Sequence, residues 1–289
     1  MEFDAGISRR AAMERLIHAF RKAGIDEAAY DARLLLCAAA QIDHSSLIRD
    51  PDEPLGDLAA VRLDRYASRR LAREPVTRIL ASRGFWSLDI AVEPDVLDPR
   101  PDSETLIDAA LKYMGERQDE ALRIADLGSG SGALVCALLD VFQKSEGLAV
   151  DISPHACNLT SRNLRQCGFQ NRARVWHGDW RNLDAARFDL IVSNPPYIPS
   201  ADIATLDPEV RNHDPRLALD GGADGLDAFR SLAEVLQRLL GPAGIAIVEF
   251  GIGQTEPVTR LFEAGGLEPS GVFCDLAGIE RALVLKRSH

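Results

Sequence analysis

The 289-residue chain has five cysteines, Cys37, Cys136, Cys157, Cys167 and Cys274, and none forms a C-x-x-C pair. None of its six histidines stands at zinc-finger spacing from them. That excludes the usual structural zinc patterns and reads the thiols as small buried hydrophobes kept reduced; no metal is expected, and His177 reads as structural. No stretch approaches the roughly 20 apolar residues that span a bilayer, so no membrane association is expected. The opening residues, Met1–Leu16, alternate acid and base without an apolar leader segment, which predicts a cytoplasmic protein. Repeats and low-complexity segments are missing as well. So is any basic excess: 33 Lys and Arg face 44 Asp and Glu, a net charge of −11. Residues 1–80 hold 13 basic and 13 acidic side chains while 81–289 hold 20 and 31, so the whole deficit lies in the larger part. Stable nucleic-acid binding, which needs several cations along a backbone, is not expected; a protein or small-molecule substrate fits better.

What is present divides into two regions. Residues 1–80 read as a small helical domain, with Leu16, Ile17 and Phe20, then Ala32, Leu35, Leu36 and Ala39, at helical spacing. A third helix over 56–72 would carry Arg62, Arg65, Arg69 and Arg73 on one face, either a solvated surface or a docking face for an acidic partner. Residues 81–98 read as a β-hairpin linker, from the alternation in Phe85–Val92. After Pro99-Arg100-Pro101, Asp102 or Ser103 is placed to cap a helix through Leu106, Ile107, Ala110 and Leu111. In 99–289 strands are expected at Leu122–Leu127, Leu148–Asp151, Ala173–His177, Phe188–Ser193 and Ile245–Phe250, with helices starting near Gly132, Pro154, Leu226 and Gln254. Such alternation specifies an α/β fold with a mainly parallel sheet covered on both faces. Glu268–Cys274 and Arg281–Lys286 read as a closing hairpin that adds an antiparallel strand, seven strands in all.

The run Asp126-Leu127-Gly128-Ser129-Gly130-Ser131-Gly132 follows a strand and opens a helix, so its backbone can turn tightly and approach a ligand. By spacing alone, Gly128-x-Gly130-x-x-Ala133 with Asp151 about 20 residues on also satisfies the dinucleotide fingerprint. Asp126 argues for the other ligand. A carboxylate at the loop repels a pyrophosphate and attracts the ammonium and sulfonium of S-adenosylmethionine. Asp151 is placed for ribose hydroxyls, and Asp179 and Trp180 for the adenine.

The chemistry resides in Ser193-Asn194-Pro195-Pro196-Tyr197, after the fourth strand of that region. A nitrogen conjugated to a π-system is a poor nucleophile because its lone pair is delocalised. Two acceptors aimed at its N–H groups, the Asn194 side-chain oxygen and the Pro195 carbonyl, localise that pair and stabilise the charge that develops in transfer. Pro195 and Pro196 stiffen the loop and offer carbonyls without donors, and Tyr197 is placed to stack on a planar group. The rest is alignment, with water taking the proton afterwards.

These segments resemble class I methyltransferases that act on planar nitrogens. More narrowly, the chain is similar to the HemK/PrmC family, the glutamine N5-methyltransferases of peptide-chain release factors. The likeness is carried by Glu74-Pro75-Val76, Gly84-Phe85-Trp86, Pro99-Arg100-Pro101-Asp102-Ser103-Glu104, the glycine loop, Asn194–Tyr197, Asp214–Leu219 and Glu249-x-Gly251-x-Gly253-Gln254. Asp98 and Phe250 depart from the family's usual residues. The resemblance implies a Rossmann-like class I methyltransferase domain. It also implies S-adenosylmethionine held by Asp126, Gly128, Ser129, Gly130, Ser131, Gly132, Asp151, Trp180 and Asn194. The substrate glutamine, in a Gly-Gly-Gln tripeptide of a class I release factor, would be held by Asn194, Pro195, Pro196, Tyr197 and Arg100. A ribosomal-protein glutamine enzyme would share nearly every motif. A DNA adenine enzyme would need a recognition insert and a basic groove, and a non-catalytic cofactor module would not need Asn194–Tyr197 intact.

Overall fold

The computed structural model describes residues 1–184 and 187–288. It divides into two compact units, Met1–Ala81 and Ser82–His289. The first holds helices α1 (Arg9–Lys22), α2 (Ala28–Ala40), α3 (His44–Arg49), α4 (Asp57–Leu71) and α5 (Val76–Leu80). Leu16, Phe20, Leu35, Leu36 and Leu63 meet in its core with no solvent exposure. The expected arginine face is mostly spent inside this unit. Arg69 pairs with Glu74 and donates to the carbonyl of Ile79, Arg73 donates to those of Ala23 and Gly24, and Arg62 to that of Ala39. Of the four, Arg65 is left exposed. The spacing that aligns four cations also carries three of them to carbonyl and carboxylate groups within the same unit.

The second unit opens with β1 (Ser82–Phe85) and β2 (Leu88–Ala91), an antiparallel pair. The hairpin falls on the far side of the division from residues 1–81, and Phe85 and Ile90 are buried in the larger unit's core. Asn163 grips its end with both halves of its amide, accepting from the Ala91 N–H and donating to the Ala91 carbonyl. Then follow α6 (Thr105–Met114), β3 (Arg123–Leu127), α7 (Ala133–Val141), β4 (Glu146–Asp151), α8 (Pro154–Gln166), β5 (Ala173–His177), β6 (Phe188–Ser193), α9 (Pro208–His213), α10 (Arg216–Leu219), α11 (Asp227–Leu239), β7 (Leu240–Glu249), α12 (Thr255–Ala264), β8 (Leu267–Cys274) and β9 (Glu280–Arg287).

The strand order is β5-β4-β3-β6-β7-β9-β8, parallel from β5 to β7, with β9 antiparallel to both its neighbours. Strand periodicity splits the core in two. Ile124, Leu190, Val192, Ile247 and Val284 face α6, α7 and α8 on one side, while Ala125, Ile191, Val248 and Leu283 face α11 and α12 on the other. This is the expected mainly parallel, seven-stranded α/β sheet. Phe250, the bulky departure noted above, is filled into the second of these layers with no exposure. β7 starts five residues earlier than its apolar run, because Leu240 already pairs with Phe188 before a shift in register. No helix among the described residues is long and apolar enough to cross a membrane.

Phe142 closes the layer under α7 and is fully buried. Phe142→Ala is expected to cost about 3–5 kcal/mol, the usual range for a large aromatic cavity. Urea unfolding followed by far-ultraviolet circular dichroism measures it.

Candidate active site

The site forms where strand order reverses. The chain leaves β3, builds β4 and β5 on one side, and returns to lay β6 on β3's other edge; ligands of open α/β sheets bind at such a switch. The glycine loop therefore emerges from β3 beside Asn194, which emerges from β6. The Ser193 hydroxyl ties the two exits by donating to the Leu127 carbonyl at 2.6 Å.

A cavity of about 450 Å³ opens there, within the range of small-molecule sites. Gly128, Ser129, Gly130, Ser131, Asp151, Trp180, Asn194, Pro196 and Arg100 all line it. The loop glycines have positive φ, +80° at Gly128 and +79° at Gly132. A Cβ on Gly132 would sit 2.8 Å from Thr160 Cγ2 and 3.2 Å from its Cα, and one on Gly128 would sit 3.2 Å from the Trp180 ring. The loop is thus pressed between α8 and the indole, which is itself held by its Nε1–H donating to Ser231. Asp151 accepts from the Gly130 N–H and the Ser153 N–H, both at 2.8 Å. Burial nevertheless raises its pKa above the ordinary carboxylate value, against the pull of those N–H groups.

Asp126 is placed differently from expectation. It is fully buried behind the loop and is not part of the cavity lining. One oxygen accepts from the Val135 N–H at 3.2 Å; Oδ1 has no partner among the described residues. Burial, with a smaller push from Asp151, raises its pKa to about 7. The charge preference of the cavity comes from other residues. Asp95, Asp98, Asp151, Asp179, Asp220 and Asp227 line it, against two arginines. Arg100 is paired with Asp214, and Arg181 with Asp179. Three of the six, Asp179, Asp220 and Asp227, are themselves paired with Arg181, Arg216 and Arg230, yet the lining keeps an excess of carboxyls over cations, which suits a cationic ligand and opposes a pyrophosphate.

Pro195 and Tyr197 also lie back from the lining, where Asn194 and Pro196 are found. The Tyr197 ring packs against Gly251, where a Cβ would come within 3.0 Å of it, so a stacking role would require the ring to turn outward. Its carbonyl accepts from Gln254 Nε2 at 3.0 Å, and Gln254 Oε1 accepts from the Gly251 N–H at 2.9 Å. The Glu249–Gln254 motif therefore anchors the Asn194–Tyr197 loop. Beyond it the chain folds back, with the Ile198 N–H on the Leu219 carbonyl, so that Leu217 reaches the cavity.

Two neighbours of Asn194 had no part in the site assigned from sequence. Its Nδ2 donates to the Ser103 hydroxyl at 2.9 Å, and Ser103 donates to Glu249 Oε2 at 2.5 Å. Ser103 thus caps no helix: it lies in a 3₁₀ turn, Pro101–Glu104, and Asp102 pairs with Arg281. Glu249 is buried at the end of β7, and burial raises its pKa to about 7. The available signal was its place in the Glu249-x-Gly251-x-Gly253-Gln254 motif, at the end of the strand expected over Ile245–Phe250.

With this geometry established, two family models match: "PrmC N-terminal domain" over residues 11–80 and "Methyltransferase small domain" over residues 103–206. The release factor glutamine methyltransferase of Rhodospirillum rubrum is 47% identical over 92% of this chain and 81% of its own length. That of Caulobacter vibrioides is 41% identical over 95% and 93%. The chain belongs to the release factor glutamine methyltransferase family. Among solved structures, the catalytic domain of hMettl16 in complex with an RNA hairpin has a TM-score of 0.55 at 16% identity, covering 80% of this chain and 81% of that one. A ribosomal protein L11 methylase from Lactobacillus delbrueckii has a TM-score of 0.50 at 18% identity, covering 68% and 82%. At those identities the likeness establishes the class I methyltransferase fold and nothing finer.

Gly132→Ala places a side chain at positive φ against Thr160, a strain of about 1–2 kcal/mol before the clash is counted. Binding of S-adenosylhomocysteine, read by calorimetry, is expected to weaken at least about tenfold, since 1.4 kcal/mol is a factor of ten.

Proposed function

We propose that this family member methylates the side-chain amide nitrogen, N5, of the glutamine in the Gly-Gly-Gln tripeptide of class I peptide-chain release factors. S-adenosylmethionine, the family's methyl donor, supplies an electrophilic methyl group on a sulfonium. The observation that carries the reading is the amide of Asn194: its nitrogen faces Ser103 and Glu249, donating to the Ser103 hydroxyl, so its oxygen is the end left for the cavity.

The chain's own residues then do three things. Gly128–Ser131 and Asp151 cradle the donor, with Gly132 outside the lining and shaping the loop against Thr160, Trp180 as a hydrophobic wall and the acidic lining favouring its positive charge. The Asn194 oxygen accepts from one N–H of the glutamine amide and the Pro195 carbonyl, which has to come forward from behind the lining, accepts from the other, drawing the lone pair out of conjugation toward the methyl group. The Asn194–Tyr197 loop, stiffened by two prolines and anchored by Gln254, holds the nitrogen in line; orientation alone lowers such barriers by several kcal/mol. Positive charge builds on the nitrogen during transfer, and water removes the proton afterwards. Arg100 and the exposed Leu217 line the cavity, where the residues flanking the glutamine would pass. The acidic cavity speaks against a nucleic-acid substrate, and a cytoplasmic setting follows from a translation factor as partner.

Methyl transfer from labelled S-adenosylmethionine tests this, with purified release factor, its Gly-Gly-Gln Gln→Ala variant and a DNA duplex as parallel acceptors. Label is expected on the wild-type factor alone. Asn194→Ala should lower kcat about 10²–10³-fold, the usual loss for one group that stabilises developing charge. Label on DNA, or undiminished label on the Gln→Ala factor, would refute the assignment.

A further inference from the structure

We propose that Glu249 and Ser103 form a positioning relay that sets the side-chain amide of Asn194 with its oxygen toward the substrate nitrogen. The inference rests on the reading of Asn194 as the acceptor and concerns what makes it one. An asparagine amide is nearly symmetric in shape, and turned end for end it would present Nδ2, a donor, to the N–H groups it must accept from. Something has to choose the orientation.

The choice follows from proton counting. A carboxylate only accepts. The Ser103 hydroxyl has a single proton, committed to Glu249 Oε2 at 2.5 Å. Ser103 Oγ therefore has only lone pairs left for its neighbour at 2.9 Å, which must be a donor, and Asn194 can donate through Nδ2 alone. Glu249 also draws directly on the Asn194 side chain. Polarity thus runs one way, from Asn194 through Ser103 to Glu249, and leaves Oδ1 as the acceptor. The three residues come from separate segments: the end of β6, the turn after Pro99-Arg100-Pro101 and the end of β7.

The burial of Glu249 is otherwise hard to account for. A carboxyl 1% exposed is costly without a charged partner. The cation facing it, Arg281, makes its salt bridges to Asp102 at 3.1 Å and Asp275 at 2.9 Å. The other groups facing Glu249 are Ser103, Asn194, Asp102 and the Tyr197 phenol. Burial and Asp102 raise its pKa; Ser103, Arg281 and Asn194 lower it, with the balance at about 7. A protonated Glu249 becomes a donor to Ser103, whose own proton is released to turn toward Asn194. The polarity is then lost, so activity should be present above about pH 7 and decline as the pH falls through it.

The test uses the full-length protein in two arms. In the transfer assay, Ser103→Ala and Glu249→Gln should each lower kcat about tenfold to a hundredfold, the scale of a misplaced reacting geometry, with KM for S-adenosylmethionine within about twofold of wild type. Ser103→Thr, which keeps the hydroxyl, should recover most of the rate. Wild-type kcat should fall between about pH 8 and 6, whereas Glu249→Gln, whose amide can donate or accept, should be slow and flat across that range. In the second arm, ¹⁵N NMR of the Asn194 side-chain amide, assigned by its disappearance in Asn194→Ala, should show slow hydrogen exchange in wild type that is lost in Ser103→Ala. This arm needs no substrate, so it separates the relay from the identity of the acceptor. An unchanged amide signal in Ser103→Ala, or a Ser103→Ala enzyme with wild-type kcat and pH profile, would overturn the relay even if the release factor is methylated as proposed.

Discussion

The pairing of β3 with β6 is the constraint on which the site depends. Ile124, Ala125 and Asp126 lie in register with Leu190, Ile191 and Val192, and that parallel register makes the two strands end side by side. The glycine loop and the Asn194–Tyr197 loop are therefore neighbours, although more than sixty residues separate them in sequence. Ser193 joins the two exits through the Leu127 carbonyl, and β7, paired to β6 on the far side, brings Glu249 to the same edge. A slip of one residue in either pairing would reverse every side chain across the sheet, breaking both core layers and the site together. The apolar alternation that stabilises the sheet is thus what fixes the geometry of the candidate site.

Electrostatics adds a second layer with an opposing demand. Asp126, Asp151 and Glu249 are carboxyls held in or behind the site at 0%, 9% and 1% exposure, and each is pushed above its ordinary pKa by burial. A fold selected for stability alone would have little reason to keep them. Under the proposed function Asp151 and Glu249 would give that cost a use, since negative potential favours a cationic donor and a nitrogen that becomes positive; Asp126, behind the loop and outside the lining, is not placed to do so. The Arg100–Asp214 pair keeps one nearby cation from cancelling it, while Arg181 offsets Asp179.

The layout of the larger unit was legible from sequence wherever periodicity and punctuation agreed. The glycine loop after β3, the Asn194–Tyr197 loop after β6 and the antiparallel closing hairpin each carry a local signal. What escaped depends on long-range partners. Short helices such as α3 and α10 have too few residues to display a period. Ser103 reads locally as a helix cap, and only the arrival of Glu249, 146 residues later, gives its hydroxyl a stronger acceptor. Asp126 reads as a ligand-facing acid because nothing local reports that the loop folds over it. The arginine row on α4 is visible as a pattern, but which of its members are consumed at home depends on carbonyls of Ala23, Gly24, Ala39 and Ile79 that sequence spacing cannot place.

The most direct test of the account is a crystal structure with S-adenosylhomocysteine and a Gly-Gly-Gln peptide bound. The proposed mechanism requires the glutamine nitrogen within hydrogen-bond distance of both Asn194 Oδ1 and the Pro195 carbonyl, with Asn194 Nδ2 still on Ser103. A glutamine nitrogen bound elsewhere in the cavity, or an Asn194 amide presenting its nitrogen to the substrate, would contradict it.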